Sequence, residues 1–456
     1  MAGRVSSRAA GVANAALETG VVTDLTHDGE GVVRGAASID ERASGKTVFI
    51  AGALPGERVS FRRRGFHKQH DEADLVEVLE PSPQRVVPRC AHFGVCGGCA
   101  MQHLAPEAQL AAKQKELAEN LARIGNVTPA QWLPPLLGPH WNYRRRARLS
   151  SRYVTKKERS LVGFREKQGK YVADVQRCEV LAEPVGSLVG ALGELLTGMQ
   201  RRASIPQIEV ALSDGEQVLV VRVLDPLPDA DLVRLREFEA AHSLRILLQP
   251  GGLATIHPLT PGPIDLHYRL DAFDLRLEFG PSDFVQVNAA INQSMVARAI
   301  ELLEVGSTDR VLDLYCGLGN FTLPLARRAA SVVGVEGDAG LIERARANAR
   351  LNGISNANFH VGDLSVAPDR TIPWMRGGYD LVLLDPPRVG AREVLSAVAH
   401  LAPRRVVYIS CHTGSLARDL GVLTQEHGFR LRAAGVLDMF PHTTHVESVA
   451  LLDRAS

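Results

Sequence analysis

The sequence predicts an α/β protein whose C-terminal part is a doubly wound, Rossmann-like parallel sheet. A small antiparallel barrel of OB type precedes it, with a mixed α+β region between. Three observations carry this. The runs RVLDLYC, SVVGVEG, YDLVLLD and RVVYIS are apolar and strand-like, and helical text such as FTLPLARRA and LIERARANARLNG bridges the first of them. Between residues 21 and 78, short runs rich in Val, Ile and Phe are divided by DGEG and LPGE turns. The length of 456 residues accommodates about three domains at roughly 150 residues each.

Residues 1–16, rich in Ala, Arg, Ser and Gly, read as a flexible tail; they lack the apolar core of a secretory leader. Residues 17–80 form the barrel. Its stretch from Arg58 to His70 carries Arg62, Arg63, Arg64 and Lys68 without an acid, so it is either a solvated hairpin tip or an RNA contact. Pro81, Pro83 and Pro88 mark a boundary, and the central domain runs from 81 to 275. Its helix, expected over 106–125, places Leu110, Leu117, Leu121 and Ile124 on one side, stops at Gly125, and is expected to dock on the catalytic domain. A second basic segment spans Arg144 to Arg159, where Tyr143 and Tyr153 are placed to stack bases unless the arginines are only the wet face of a strand. The catalytic domain occupies 276–456.

Composition narrows the class. With 45% hydrophobic and 23% charged residues, global disorder and fibrous structure are excluded. No run approaches the roughly 18 to 20 apolar residues of a membrane span, so no membrane partner is expected. The 52 Lys+Arg against 51 Asp+Glu exclude little, because a basic face can hide in a balanced total. Six cysteines (Cys90, Cys96, Cys99, Cys178, Cys316 and Cys411) are too few for a secreted disulfide scaffold and indicate a cytoplasmic protein with metal or thiol chemistry.

The glycine turn in VLDLYCGLGNFTLPLA follows the first strand of the sheet, yet it is neither G-x-G-x-x-G nor a P-loop. Glu336 ends the second strand, where a carboxylate can take two ribose hydroxyls, and Asp363 ends the third, in reach of an adenine amino group. Each acid alone could be a helix cap. Together with Asp313 around one glycine loop they point to S-adenosylmethionine.

LLDPPR ends the fourth strand with Asp385, and YISCHTG puts Cys411 at the end of the next; Glu447 follows in FPHTTHVES. A lone cysteine is more often a small buried hydrophobe. A thiol beside a carboxylate, however, suits methylation of a pyrimidine at C5. Thiolate addition at C6 makes C5 nucleophilic, and a base must then remove the C5 proton before the thiol can leave. RNA cytosine-C5 enzymes use a second cysteine after the proline of the fourth-strand motif. Here Pro387 stands there, which favours uracil.

These motifs resemble the RNA uracil-5-methyltransferase family, most closely its bacterial 23S ribosomal RNA branch, over nearly the whole length. DGEGVV with KTVFIAGALPGE resembles the TRAM barrel, and CAHFGVCGGCAMQH the iron–sulfur segment. DFVQVNAAINQ, DLYCGLGNFTLPLA, LDPPR, SCHTGSLARD and FPHTTHVES resemble the catalytic domain. The resemblance implies Cys411 as nucleophile and Glu447 as base, with Gln286, Tyr315, Asn320, Glu336, Asp363 and Asp385 lining the cofactor site. It implies 23S ribosomal RNA as partner and a monomeric enzyme. In this sequence CHTG replaces the usual CNP-type text, Val389 replaces a small Ala, and ASIDERAS interrupts a barrel hairpin.

Cys90, Cys96 and Cys99 form C-x5-C-x2-C, with Cys178 as the remaining candidate ligand. Four thiolates fit tetrahedral zinc or a [4Fe–4S] cluster, and spacing does not choose between them; the resemblance implies the cluster, as a structural staple. His92 and His103 read as its neighbours. Three competing readings remain: methylation of a tRNA or another rRNA uridine, a non-catalytic RNA-binding assembly factor, and a redox-sensing iron–sulfur protein. The tRNA-directed relatives are expected to lack barrel and cluster, and an assembly factor to lack Cys411 or Glu447.

Overall fold

The computed structural model describes residues 16–35, 45–167 and 169–455. The expected tail, apart from Ala16, and the ASIDERAS insertion lie outside the described residues. The chain forms two compact units, one comprising residues 1–112 with 442–444 and the other 113–441 with 445–456.

In the first unit, strands β1 (Glu18–Val21), β2 (Asp24–Leu25), β3 (Glu30–Val33), β4 (Thr47–Ala51), β5 (Arg58–Phe66) and β6 (His70–Glu80) pair in the order β1-β5-β6-β4-β3-β2. β1 and β2 are two ends of one bent segment. One bonds β5 and the other bonds β3, so the sheet closes on itself. Alternation in TVFIA turns Val48 and Ile50 inward, where they pack with Val22, Val33, Val59, Phe61 and Ala73. Gly31 is required by crowding: a Cβ there would lie 2.8 Å from the Ala53 carbonyl oxygen.

The second unit begins within α1 (Pro106–Arg123), followed by β7 (Gln131–Trp132). Leu117 and Leu121 of α1 are buried as expected, but Ile124 is 50% exposed. The left-handed residue that ends the helix is Asn126, at φ 49°, rather than Gly125. Gly125 is needed instead for close approach, because a Cβ there would stand 2.4 Å from the Ala417 carbonyl oxygen.

A six-stranded sheet follows, built from β8 (Arg146–Val154), β9 (Arg159–Gly163), β10 (Gln207–Leu212), β11 (Gln217–Arg222), β12 (Arg245–Gln249) and β13 (His257–Pro258), with the helices Val185–Thr197 and Asp229–His242 in the same segment. A hairpin, β14 (His267–Leu270) and β15 (Leu275–Glu278), and the helix Ala289–Leu303 lead into the last sheet. That sheet holds β16 (Arg310–Leu314), β17 (Ser331–Glu336), β18 (Ala357–Val361), β19 (Leu381–Leu384), β20 (Arg405–Ser410), β21 (Phe429–Leu437) and β22 (Glu447–Arg454), in the order β18-β17-β16-β19-β20-β22-β21-β7. β22 is antiparallel to both its neighbours, and β16 to β20 run parallel. All four residues of β19 are buried, the pattern of a strand covered on both faces. The order reverses between β16 and β19, which opens a crevice at their C-terminal ends. β7, from the region assigned to the central domain, is the edge strand of this sheet.

Candidate active site

The turn after β16 is held open by left-handed backbone at Tyr315 (φ 66°), Gly317 (φ 54°) and Gly319 (φ 100°). The Gly317 N–H donates to Glu336 Oε2 at 3.2 Å and the Asp338 N–H to Oε1 at 3.0 Å, so the second-strand acid is tied to the glycine loop. The Tyr315 hydroxyl donates to the Leu364 carbonyl at 3.2 Å, bringing the third-strand loop alongside. Asp363 there accepts the Ser365 N–H and hydroxyl, which hold its carboxyl below the usual range.

Asp313 is fully buried. Its Oδ2 accepts the Thr322 hydroxyl at 2.5 Å, while Oδ1 has no partner. Burial, then the charges of Asp385 and Glu336, push its carboxyl up to about 8, and burial pushes Asp385 up to about 7. An orphan carboxylate oxygen and two carboxyls short of positive charge suit a cationic ligand. A nucleoside carrying a sulfonium and an ammonium fits these residues.

Asn320 and Gln286 are more enclosed than the sequence indicates. Asn320 exchanges two hydrogen bonds with Asn292, at 2.9 and 3.0 Å, and accepts the Tyr268 hydroxyl at 2.9 Å. Gln286 lines a small cleft with Tyr268, Phe279 and Asn292. Tyr268 and Asn292 escaped sequence reasoning; a single Tyr on a hairpin and an Asn in a helix carry no motif of their own.

Cys411 and Glu447, the pair expected to react, come from adjacent antiparallel strands. Ser410 on β20 pairs with Ser448 on β22, which sets Cys411 and Glu447 next to each other at the end of the ladder. Glu447 is 3% exposed, and burial with the charge of Asp385 raises its carboxyl well above the usual range. Cys411 is half-buried; burial and then Glu447 and Asp385 push its thiol up to about 11, against the opposing pull of Arg388. The resting thiol is therefore protonated at neutral pH, and a cation bound in the crevice would favour the thiolate.

The helix after Cys411, α8 (Thr413–Gln425), fixes this corner. His412 occupies its N-cap, and its Nδ1 accepts the Ser415 N–H at 3.1 Å, so the CHTG text supplies by imidazole the acceptor that an Asn would give. Asp419 of α8 accepts the Ala391 N–H and the Tyr408 hydroxyl, both at 2.7 Å, and the Ser415 hydroxyl donates to the Arg388 carbonyl at 2.9 Å. These contacts anchor the DPPR loop. They lie inside SCHTGSLARD, but nothing in that text singles out Ser415 or Asp419 as anchors.

The basic tracts are largely consumed within the protein. Arg63 is 2% exposed and paired with Glu18 and Asp71, so it is part of the barrel interior and not an RNA contact. Arg58 pairs with Glu80, and Arg64 with Glu72 and Asp74. In the second tract Arg145 pairs with Asp214, Arg148 with Glu209, and Lys157 and Arg159 with Asp174. Tyr143 is buried and donates to the Pro441 carbonyl at 3.0 Å, so it is a strut and cannot stack a base. Tyr153 lies under the Arg202 guanidinium, 4.5 Å from its ring centre.

Cys90, Cys96 and Cys99 are half-buried and Cys178 is buried. The Gly98 N–H points at Cys96 Sγ, 3.4 Å away. Among the described residues, no group of three or more His, Cys, Asp or Glu side chains stands close enough to hold a metal ion. No helix among them is long and apolar enough to cross a membrane.

Comparison with known proteins agrees with this chemistry. The family model described as tRNA (Uracil-5-)-methyltransferase matches residues 263–455. The 23S rRNA (uracil(1939)-C(5))-methyltransferase RlmD of Xanthomonas euvesicatoria is 51% identical over 433 residues, covering 95% of this chain and 96% of the relative. RlmD of Xylella fastidiosa matches equally well, at 51% over the same shares. The crystal structure of Pyrococcus abyssi tRNA (uracil-54, C5)-methyltransferase in complex with S-adenosyl-L-homocysteine superposes with a TM-score of 0.74 at 25% identity, covering 95% of this chain and 99% of that one. That full-length match corrects the expectation that tRNA-directed relatives lack the N-terminal parts; the higher identity favours the ribosomal branch. With half of all residues identical across nearly the whole length, the chain belongs to the RNA uracil-C5-methyltransferase family, in the RlmD branch.

Proposed function

We propose that this protein transfers a methyl group from S-adenosylmethionine to C5 of a uridine in 23S ribosomal RNA, the one numbered 1939 in the names of its relatives. The observation that carries the reading is the pairing of a half-buried thiol, Cys411, with a buried carboxyl, Glu447, beside a crevice of cation-seeking carboxyls.

Cys411 Sγ, after releasing its proton to solvent, bonds to C6 of the uracil, and the C5–C6 π pair moves toward C5 and O4. Bound S-adenosylmethionine supplies an electrophilic methyl. C5, made nucleophilic, would take that methyl as the methyl–sulfur bond breaks and its electron pair stays on the sulfur, after which the Glu447 carboxylate takes the C5 proton. The pair from that C–H bond re-forms C5=C6 and expels the Cys411 thiolate. Burial makes Glu447 a stronger base than an exposed carboxylate once it is ionised. Arg388 draws the thiol toward its reactive form. Gln286, Tyr315, Asn320, Glu336, Asp363 and Asp385 are assigned to the cofactor, and Asp385, whose charge acts on both Cys411 and Glu447, is assigned a contact with the base as well.

The closed sheet of residues 17–80 is read as a TRAM barrel of OB type and residues 81–275 as a second RNA-gripping part, ahead of a catalytic part over 276–456 in a monomeric, cytoplasmic enzyme. The target base must leave its stack to reach Cys411. Cys90, Cys96, Cys99 and Cys178 are assigned to a [4Fe–4S] cluster with a structural role; the support is their thiol chemistry and the Gly98 N–H aimed at Cys96 Sγ. Iron and sulfide analysis of anaerobically purified protein tests this, and stoichiometric zinc would overturn it.

The activity is tested with tritiated methyl donor and either unmodified 23S rRNA or tRNA. Incorporation into 23S rRNA by wild type and none by Cys411→Ala is expected. Full activity of the variant, or methylation of tRNA alone, would refute the assignment.

A further inference from the structure

The nucleophile and the base sit on segments far apart in sequence, yet one face of one helix holds both. Lys113, Glu116 and Asn120 of α1 are spaced three and four residues apart and so form a single stripe. Lys113 is 2% exposed; its ammonium donates to Asp438 Oδ1 at 2.7 Å and to the Phe440 carbonyl at 2.9 Å. Asp438 and Phe440 begin the segment that leads from β21 to Glu447.

Further along the same face, the Thr413 hydroxyl donates to Glu116 Oε1 at 2.8 Å and accepts from Asn120 Nδ2 at 2.8 Å. Thr413 is the first residue of α8, two positions after Cys411. The two helices are also locked at close range, with Gln425 of α8 donating to the Gly125 carbonyl at 2.8 Å.

We propose that α1 is a positioning element of the active site: Lys113 places the base segment, and Glu116 with Asn120 places the nucleophile turn. The proposal rests on the reading of Cys411 and Glu447 as nucleophile and base. The sulfur must reach C6 while the carboxylate reaches the hydrogen on the neighbouring carbon, so their separation has little tolerance. An error of about 1 Å in such an arrangement costs about a hundredfold in rate. Cys411 lies beyond the last paired residue of β20, so the ladder alone leaves its turn free to shift. A rigid helix bonded to both segments removes that freedom.

The two ends of the stripe should fail in opposite ways. The full-length protein would be incubated with unmodified 23S rRNA and methyl donor, measuring turnover and the fraction of enzyme covalently bound to RNA. Lys113→Met combined with Asp438→Leu, which leaves no unpaired buried charge, should slow proton removal. Turnover should fall about tenfold to a hundredfold and the covalent fraction should rise. Glu116→Ala and Asn120→Ala should slow thiol addition, lowering both turnover and covalent fraction. Lys113→Arg should recover much of the loss. Thermal melting identifies variants with a reduced folded fraction, to which the covalent fraction is normalised. Covalent fractions that move together, or turnover unchanged at both ends, would overturn the proposal. A Glu447→Gln enzyme that forms no covalent complex with the RNA would instead sink the assignment of Cys411.

Discussion

Charge is treated in opposite ways in the barrel and in the catalytic crevice. In the barrel, the fully desolvated Arg63 is met by two carboxylates, at 3.0 and 2.6 Å, so a stretch that looks strongly basic as text is neutralised in space. In the crevice Asp313 and Glu447 are just as enclosed and Asp385 is half-buried beside them, yet among the described residues none has an ion-pair partner, and all three carboxyls are pushed upward. A fold that can pair Arg63 so completely has the means to pair these acids as well. On the proposed function, leaving them unpaired reserves the site for a ligand's positive charge and for a proton in transit.

The largest expected effect is at the thiol. Cys411→Ala should leave no methyl incorporation above background, and activity within tenfold of wild type would break the contrast between a reacting site and a scaffold. Glu447→Gln should slow turnover by about 10²- to 10⁴-fold and trap protein on RNA; a variant that turns over freely would show that another group takes the proton. On the matched side, Arg63→Met should cost about 3–5 kcal/mol by stranding Glu18 and Asp71, read as an earlier transition in denaturant. A loss of RNA affinity at unchanged stability would make Arg63 a contact after all.

The pH dependence of stability separates the regions further. A buried acid whose carboxyl is raised keeps its proton when the unfolded chain has already lost it. Stability is therefore full at low pH and is lost as pH rises between the ordinary value of 3.8 and about 7 to 8. Asp385→Asn should flatten this decline in the ligand-free protein; an unchanged slope of melting temperature against pH would contradict it. The smallest effect is at the helix cap. His412→Ala should cost about 0.5–2 kcal/mol and His412→Asn almost nothing, as judged by thermal melting.

Much of the crevice was legible because strand ends announce themselves. Asp313, Glu336, Asp385 and Cys411 each close an apolar run, and such runs are read directly from sequence. The strands of the N-terminal sheet were legible for the same reason, through their turns and alternating apolar residues. What the text concealed was pairing across distance. Arg63 looks like its neighbours Arg62 and Arg64, and only the closure that brings β1 beside β5 reveals it as interior. Tyr143 reads as a stacking platform until the Pro441 carbonyl, almost three hundred residues later, accepts its hydroxyl hydrogen bond. Gly125 was singled out for the wrong reason: what demands glycine there is Ala417 on another helix.

The two-residue strand β7 has a consequence for how the chain can be cut. Gln131 and Trp132 cap the outer side of β21, so the final sheet is sealed by a segment synthesised long before its own strands. A shortened chain starting at residue 276 would leave that margin bare, offering unmet amide and carbonyl groups to the next copy in solution. Self-association of such a fragment, relieved by supplying the missing stretch as a separate peptide, would mark β7 as a guard against edge-to-edge stacking.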